Sequence, residues 1–550
     1  MNSQHQPPRI VRNADRQTLL VDDRPFLCLG GELHNSSASS AESLREIWDG
    51  VARSGASTII CSVAWNEVEA AEGRFDFTIV DEILRLARSS DQRLILIWFG
   101  AFKNATSVYA PRWVREDTER FPRAHLGPVA FPLPFSYPGS TSKPVLSVFS
   151  NALRKADRAA YVALMRYLAE HDEGYTCVMT QVENEVGLLG AGRDHSPEAE
   201  RRWTAAIPPS VLQQLRDRPE LLSANAALRL ADAAGNRSWQ DVFGADGSGD
   251  ELFMTWGFAT YVEDLAAAGK REHPLPAFTN AWLGPQPGQP VAGMYPSGGP
   301  VASMIGLWRA LAPSLDLIAP DIYVSDVEPV LQQYSVNGNP LFVPEARFRA
   351  GDMAMAVGSY GAIGYHVFGL DDGLIDNQHA QLTIFLRGFE QEVIAAQGEG
   401  RIVGFALAPG DTEKTVEVAG LSLTVRDAFH QYSRMLFDVG VSIDPPAALP
   451  TQTIEAARGA HPADERPFGV VIVLDSNELV VIGQRFMIDV TRPGFLTEID
   501  EAREVLPSSN GMRPSRYLNG DERLLLTGTN RITAVRLRLL HRPATEPVKE

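Results

Sequence analysis

The sequence predicts an α/β protein in which a (β/α)8 barrel is followed by an antiparallel β-sandwich. Short apolar runs alternate with longer stretches of helical period up to about residue 395, a pattern typical of a parallel sheet built from βα units. The chain has 550 residues, which exceeds the roughly 250–300 residues of a single core. After Gln397 the pattern changes to short β-rich runs. We therefore expect a barrel over residues 1–395 and a sandwich over residues 396–550.

Eight apolar runs are the strand candidates of the barrel, and most are continuously apolar, as strands covered on both faces should be. In chain order they are Phe26–Gly31, Thr58–Trp65, Arg93–Gly100, Cys177–Asn184, Ala277–Trp282, Asp316–Tyr323, Leu341–Ala346 and Ala362–Phe368. Apolar residues with helical spacing between them predict helices over Thr78–Arg88 and Ala152–His171. The active site of such a barrel is built from the loops that follow the carboxyl ends of the strands.

Two of these loops are long: the Pro- and aromatic-rich stretch over residues 121–139, and the stretch from about Gly187 to Gly249. Long loops in compact domains are usually functional. We expect both to wall a pocket at the barrel mouth, with surface decoration as the alternative.

The sandwich is predicted from runs separated by Gly, Asp, Pro and Asn turns, namely RIVGFALA, LSLTV, FGVVIVLD, LVVIGQRFMIDV and ITAVRLRLL. It could cover one side of the barrel, add a wall to the pocket or drive formation of a homo-oligomer, and the sequence leaves these roles open.

Composition argues against several classes of partner and cofactor. Lys and Arg number 50 against 68 Asp and Glu, a net charge of −18, and no basic run is present, so we expect no nucleic-acid partner. The sequence has no HxH or HExxH arrangement, Walker loop or GxSxG elbow, so we expect neither a metal nor a cofactor. Cys28, Cys61 and Cys177 lie far apart in apolar runs and are predicted to be small buried residues without a disulfide.

Location is predicted from what the sequence lacks. No segment reaches the roughly 20 apolar residues of a membrane span, and the stretch MNSQHQPPRIVRNADRQ has neither the charged region nor the apolar stretch of a secretory signal. We expect a cytoplasmic protein without a membrane partner, and a periplasmic location stays open if the chain has been trimmed.

Two strand candidates end in a glutamate. TQVENEVG leaves Glu185 after the fourth strand, and PLFVPEARF leaves Glu345 after the seventh. Strands four and seven lie on opposed sides of an eight-stranded barrel, so the two carboxyls can face one another across its top. Glycoside hydrolysis requires two such groups, one that donates a proton to the departing oxygen and one that stays ionised. The alternative for Glu345 is an ion pair with Arg347 or Arg349.

Glu183 precedes Glu185 by two residues. Strand residues two apart face the same way, so Glu183 is expected below Glu185 as a paired structural carboxylate, with an exchange of the two roles as the alternative.

The segment QVENEVG resembles the acid/base signature of glycoside hydrolase family 35, the β-galactosidase family, in which a tyrosine usually stands at Val186. VAWNEVEAAEGRFDF is similar to the family's WN-x-x-E-x-x-x-G-x-[YF]-[DE]-F block. WFGAFKNATSVYAPRWV departs from the family's GPY-x-x-AEW block and looks like a divergent subgroup with features of glycoside hydrolase family 42. The Asn-Glu pair is shared by the whole clan of retaining barrel hydrolases.

The resemblance implies a retaining, exo-acting β-galactosidase that hydrolyses terminal β-D-galactosyl residues of oligo- or polysaccharides, such as xyloglucan side chains, without a cofactor. It implies that Glu185 is the acid/base, Glu345 the nucleophile and Asn184 a hydrogen-bond partner of the sugar 2-hydroxyl. Lys103 and Asn104 would replace the family's usual sugar-contacting residues.

Further carbohydrate contacts are expected at other strand ends. Glu32 and His34 follow the first strand in GGELHNSS, a segment that resembles the family's G-x-x-H block, and Asn66 lies in the WN block. A satisfied structural histidine is the alternative for His34. Tyr323 ends the sixth strand, where its hydroxyl could hold the nucleophile ionised, with an ordinary buried tyrosine as the alternative.

Trp98 and Trp282 lie near strand ends and could stack on a sugar ring or pack in the core. The departure at Lys103 and Asn104 leaves β-mannosides, β-glucosides and α-arabinosides open as substrates. A non-catalytic carbohydrate-binding protein would also keep this fold. Retention requires carboxyls roughly 5–5.5 Å apart and inversion roughly 6.5–9.5 Å, a distance that the sequence does not give.

Overall fold

The structure, a computed structural model, begins with a small antiparallel sheet, order β1-β2-β3. It describes residues 6–13, 16–127, 131, 145–222, 224–232, 237–244, 249–336, 338–372, 377–441, 464–508, 511–523, 526–528 and 531–544. The first three strands are β1 (Arg9–Asn13), β2 (Arg16–Val21) and β3 (Arg24–Phe26). Leu19 and Val21 pack in one apolar cluster with Ile60, Ile95 and Phe342, which lie near the beginnings of barrel strands. The sheet therefore covers the amino end of the barrel.

The barrel follows, with sheet order β10-β12-β4-β5-β6-β7-β8-β9-β11. Every neighbouring pair in this sheet is parallel. The strands are β4 (Cys28–Glu32), β5 (Thr58–Ala64), β6 (Arg93–Lys103), β7 (Cys177–Asn184), β8 (Ala277–Trp282), β9 (Leu317–Ile322), β10 (Phe342–Val343), β11 (Glu345–Ala346) and β12 (Gly364–Phe368). All eight predicted strands are found where the sequence placed them.

The seventh barrel strand is divided in two at Pro344. Its first half, β10, pairs with β12, and its second half, β11, pairs with β9, where Glu345 lies opposite Asp321. Proline lacks the N–H that would continue a ladder. Because the two halves pair with opposite neighbours, they close the sheet into the predicted (β/α)8 barrel.

Helices surround the barrel strands. The predicted helices over Thr78–Arg88 and Ala152–His171 agree with α3 and α5 to within one residue. The helices of this region are α1 (Ala41–Arg53), α2 (Trp65–Val68), α3 (Thr78–Ser89), α4 (Arg112–Glu116), α5 (Asn151–His171), α6 (Pro197–Thr204), α7 (Pro209–Asp217), α8 (Ala224–Asp232), α9 (Trp239–Phe243), α10 (Asp250–Glu272), α11 (Ile305–Leu311), α12 (Glu328–Tyr334), α13 (Ala350–Gly358), α14 (Gln378–Gly388) and α15 (Glu390–Glu399).

The stretch from Gly187 to Gly249 corrects one expectation, because it contains helices α6 to α9 rather than an open loop. Ser196 caps α6, and Ser238 forms a reciprocal capping box at α9. Trp203 and Trp239 both contact Phe253 of α10 edge to face. Helices of five to nine residues are too short for helical periodicity to be clear in the sequence. Most of the other predicted loop, residues 121–139, lies outside the described residues.

The C-terminal region forms two antiparallel sheets, with orders β13-β16-β17-β21-β19-β20 and β14-β15-β18, so the predicted sandwich is confirmed. A helix, α16 (Ala428–Asp438), follows β15. The strands are β13 (Ile402–Ala406), β14 (Glu413–Val418), β15 (Leu421–Asp427), β16 (Phe468–Val473), β17 (Glu478–Gln484), β18 (Phe486–Thr491), β19 (Phe495–Ser508), β20 (Gly511–Tyr517) and β21 (Thr533–Pro543).

In the six-stranded sheet, strands β16 and β17 are buried on both faces. One face carries Val471 and Val481, which pack in a cluster with Leu423 of the three-stranded sheet. The other face carries Val470 and Ile482, which belong to the large cluster that also contains residues of the barrel helices α13 and α14. The sandwich is therefore packed directly against the outside of the barrel.

A buried ion cluster also joins the two regions. Arg466 pairs with Asp464 at 2.7 Å and with Asp352 of α13 at 2.8 Å, and their side chains are 8%, 0% and 6% exposed. Asp464 accepts a further hydrogen bond, 3.0 Å long, from the N–H of Gly351. The cluster connects the sandwich to the segment that follows Glu345.

Replacing Arg466 by alanine should destabilise the protein by roughly 3–5 kcal/mol, because buried Asp464 would lose its cation and buried Asp352 would keep only Arg349. The free energy of unfolding in urea measures this change. Arg542→Ala is the control, since Arg542 pairs with Glu498 in an exposed position (62% and 53%), where a pair contributes roughly 0–1 kcal/mol. Equal losses in the two variants would contradict the structural role of the cluster.

All three cysteines are buried and free, as the sequence predicted. Among the helices of the described ranges, none is long and apolar enough to cross a membrane.

Candidate active site

The carboxyl end of β7 carries Asn184 and Glu185, which are buried at the barrel mouth. The Asn184 Nδ2 donates to Oε1 of Glu345 at 3.2 Å, and its Oδ1 accepts from Nζ of Lys103 at 3.0 Å. The Glu185 N–H donates to Oδ1 of Asn280 at 2.8 Å. Asn184 thus links the fourth barrel strand directly to Glu345 on the seventh.

Glu345 is surrounded by donors. Its carboxylate accepts from Asn184, from the Tyr323 hydroxyl at 2.9 Å and from Nδ2 of Asn280 at 3.5 Å. These three donors hold both oxygens of the Glu345 carboxyl in fixed positions. The alternative partner Arg349 lies instead against Asp352, at 3.3 Å.

Two residues that the sequence analysis missed, Asn280 and Asp321, connect the two glutamates. Asn280 donates to Oδ2 of Asp321 at 2.7 Å, and the Asp321 side chain interacts with Glu185. Burial, followed by the charges of Glu345 and Glu185, raises the pKa of Asp321 well above its usual value. The raised pKa favours the neutral form of Asp321.

A signal for both residues was present in the sequence. Each is the polar side chain in the second half of an apolar strand, in AFTNAW and in LIAPDI. A polar group buried in a barrel strand has to find a partner, and near the carboxyl end that partner belongs to the site.

The backbone around the site is unusual. Glu183 and Glu185 have φ values of 62° and 45°, and Asn104 and Ala105 have 51° and 53°. The Asn104 and Ala105 N–H groups donate to the carbonyls of Asn184 and Glu185, each at 3.2 Å. The left-handed region costs a non-glycine residue roughly 1–2 kcal/mol, and such strain clusters at functional sites.

Glu183 faces away from the site, not below Glu185 as the strand alternation predicted. Its carboxyl accepts from the N–H groups of Ala101 at 3.0 Å and Phe102 at 2.8 Å, and burial together with the adjacent Asp157 of α5 raises its pKa. The left-handed φ values break the alternation of the strand. Glu183 is therefore a paired buried carboxyl in the layer between β6 and α5.

Glu32, at the end of β4, completes the group of acidic residues at the mouth. It is 1% exposed and interacts electrostatically with Glu345, Lys103 and Glu185. Burial, followed by the charge of Glu345, raises its pKa well above the usual value. No described residue donates a hydrogen bond to either of its carboxyl oxygens.

The remaining predicted residues occupy different depths. His34 lies at the rim, where its Nε2 is 2.7 Å from Asp372 and its side chain is 40% exposed. Asn66 and Asn104 each bury an Oδ1 that lacks a partner among the described residues. Trp282 is partly exposed at the end of β8, whereas Trp98 is buried and donates to Asp157 at 2.8 Å.

The WN block has a structural explanation. Glu69 accepts from the indole Nε1 of Trp65 and from the N–H of Gly73, both at 2.7 Å. Gly73 has φ of 74°, a conformation that favours glycine. These contacts tie the start of α2, where Asn66 lies, to the turn that follows this helix.

The structure thus brings together most of the predicted site residues and leaves His34 at the rim. The residues at the centre are Glu32, Lys103, Asn184, Glu185, Tyr323 and Glu345. In the described ranges, no group of three or more His, Cys, Asp or Glu side chains is arranged to hold a metal ion. Two linked carboxyl groups at a barrel mouth can act as nucleophile and as general acid.

The fold and the site define a (β/α)8 barrel protein with linked carboxyls at its mouth. Residues 384–527 match a protein family described as "Domain of unknown function (DUF5597)". This region includes the last barrel helices and most of the sandwich. No curated protein gives a significant match to the chain.

Similar solved structures include three β-galactosidases. The enzyme from the Antarctic haloarchaeon Halorubrum lacusprofundi has 15% identity and a TM-score of 0.43, over 67% of this chain and 58% of that one. The enzyme from the psychrophilic Marinomonas ef1 has 11% identity and a TM-score of 0.42, over 68% and 60%. The enzyme from Bacillus circulans sp. alkalophilus has 12% identity and a TM-score of 0.45, over 93% and 99%. The chain thus spans about three fifths of the first two, and its function has to be inferred from its own site.

Proposed function

We propose that this protein is a retaining glycoside hydrolase that removes terminal β-D-galactosyl residues, with Glu345 as nucleophile and Glu185 as acid/base. The observation that carries the proposal is the connected network at the barrel mouth. Asn184 donates to Glu345, its neighbour Glu185 contacts Asp321, and Asn280 contacts both Asp321 and Glu345. One site therefore holds both carboxyls that glycoside hydrolysis requires.

The proposed reaction has two steps. Glu345 attacks the anomeric carbon while Glu185 gives its proton to the glycosidic oxygen, so the bond to the aglycone breaks and a glycosyl ester of Glu345 forms. Glu185 then takes a proton from water, whose oxygen attacks the anomeric carbon and releases Glu345. The interaction of Glu185 with Asp321, whose pKa is raised, supports Glu185 as the proton donor. The hydrogen bonds from Asn184 and Tyr323 support Glu345 as the group held in place for attack.

Galactose is proposed from the resemblance of QVENEVG and of the WN block to the β-galactosidase family. A different sugar is the second candidate, and one contact favours it: Lys103, which stands in the segment that departs from the family, binds Asn184 at 3.0 Å. A non-catalytic carbohydrate-binding protein is the third candidate. A protein that only binds carbohydrate does not need two connected carboxyl groups.

Purified protein should hydrolyse nitrophenyl β-D-galactoside with a kcat/KM at least about 10-fold above that for the matching β-mannoside, β-glucoside and α-arabinoside, because a missing hydrogen bond in a polar site costs at least this factor. A panel of these substrates measures the ratio. Nuclear magnetic resonance of the first sugar released should show the β-anomer. Initial release of the α-anomer would exclude retention, and faster cleavage of another glycoside would replace galactose.

A further inference from the structure

The carboxyl group of Glu32 is the most unusual polar group of the site. It lies at the end of β4 and is 1% exposed, and no described residue donates to Oε1 or Oε2. Its electrostatic interactions with Glu345, Lys103 and Glu185 place it beside the two proposed catalytic groups. A buried carboxyl without a donor is unfavourable unless a ligand supplies one.

Unpaired acceptors also follow the next two strands. Asn66 lies just after β5 and Asn104 just after β6, and the Oδ1 of each is buried without a described donor. Since β4, β5 and β6 are neighbours in the sheet, one side of the mouth carries acceptors that lack donors. The fourth to seventh barrel strands hold the carboxyl network.

We infer that Glu32 selects the sugar, by accepting hydrogen bonds from two adjacent hydroxyls of the non-reducing ring, beside Glu345. This inference rests on the proposed function and deepens it. The ligand it requires is a neutral ring with two free neighbouring hydroxyls, and a ring substituted at either of them should not bind.

A hydroxyl fits the surroundings of Glu32 better than a cation does. The ammonium group of Lys103 already interacts with Glu32, and a second cation in the same place would be repelled by it. The neighbouring acceptors on Asn66 and Asn104 are neutral amide oxygens, which pair with hydroxyl hydrogens. The two oxygens of a carboxylate can accept from two donors at once.

The test compares wild type and Glu32→Gln on nitrophenyl β-D-galactoside and on its 3-deoxy, 4-deoxy and 6-deoxy analogues. In wild type, removal of a hydroxyl that Glu32 binds should lower kcat/KM by about 10- to 100-fold, as expected when a buried polar group of the site loses its hydrogen-bond partner. Glu32→Gln should lose a similar factor on the parent substrate. The variant should then respond within about 3-fold to removal of the same hydroxyl, because the contact is already lost.

Asp371→Asn is the matched control, since Asp371 already accepts from the His34 N–H at 3.1 Å and from the Ser37 hydroxyl at 2.5 Å. The loss of kcat/KM in Asp371→Asn should multiply with the loss that each deoxygenation causes. Glu32→Asp, which withdraws the carboxylate by one methylene, is the second variant if Glu32→Gln fails to fold, and it should show the same selective loss.

Two outcomes would overturn the inference separately. If wild type is active but the Glu32 effects multiply with all three deoxygenations, Glu32 does not contact the sugar and only the inference fails. If wild type cleaves no glycoside in the panel, the proposed function fails and the inference fails with it. Faster cleavage of a 2-amino sugar by wild type, lost in Glu32→Gln, would show that Glu32 binds a cation instead.

Discussion

Replacement of Glu345 by alanine should lower kcat for nitrophenyl β-D-galactoside on the order of 10⁵-fold, the scale on which an enzyme loses activity with its nucleophile. The reason is geometric. The carboxylate receives hydrogen bonds from Asn184, Tyr323 and Asn280, so no other group in the network is held in the same place. Initial rates at saturating substrate measure the change, and galactose binding by calorimetry should be largely retained.

Sodium azide provides the second readout for this variant. Azide can enter the space that the carboxylate leaves, and attack from that face inverts the anomeric centre, so the product should be α-galactosyl azide. Glu328→Ala is the control, because Glu328 is an exposed residue of α12 whose carboxylate lies 3.7 Å from Lys414. Activity of Glu345→Ala within 10-fold of wild type would remove the nucleophile from this position.

The second large effect is expected for Glu185→Ala, on the order of 10³-fold in kcat/KM for a substrate with a poor leaving group, the usual contribution of general acid catalysis. The loss should shrink for a dinitrophenyl galactoside, whose leaving group departs without a proton. Measurement of kcat/KM across a series of aryl galactosides gives this dependence directly.

Azide should rescue Glu185→Ala with the opposite stereochemistry. The glycosyl ester of Glu345 still forms, and azide replaces the water that Glu185 no longer activates, so β-galactosyl azide is expected. Glu183→Gln is the comparison: Glu183 faces the backbone N–H groups of Ala101 and Phe102. Its loss should not depend on the leaving group. The reverse pattern would exchange the roles of the two glutamates.

Most of the barrel could be predicted because its strands are continuously buried. Strands such as TIICSVA and CVMTQVEN are buried at every position, and an apolar run of that length has few alternatives to a parallel strand. The position of Glu345 followed from the end of its strand. The division of that strand at Pro344 could not be predicted from the sequence, because it depends on which neighbouring strand each half pairs with.

The elements that were missed are polar or short. Strands β14, β19 and β20 have many exposed positions and therefore carry a weak apolar signal. The run LVVIGQRFMIDV forms two strands, β17 and β18, which separate at Arg485, where φ is 68°. The small sheet at the amino end of the barrel could not be predicted from the sequence, because its role in covering the barrel depends on the tertiary fold.

The sequence predicted individual residues of the site but not the hydrogen bonds that connect them. Each of the glutamates Glu185 and Glu345 has a strand end that locates it. Asn280 and Asp321 lie inside apolar strands, and nothing local shows that they meet the same two glutamates. A hydrogen-bond network depends on the distances between side chains on different strands. The periodicity of a single strand gives no information about these distances.

The six-stranded sheet limits how this chain can be rearranged in evolution or in the laboratory. One of its faces is part of the barrel's packing, with Ile472 and Val480 in the same cluster as Met353 and Leu382. A gene shortened to end near residue 395 would therefore encode a barrel with an exposed apolar surface. A recombinant with a different C-terminal third would need a sheet that packs against this surface. The barrel and the sandwich are therefore expected to be inherited together, and not as two separate domains.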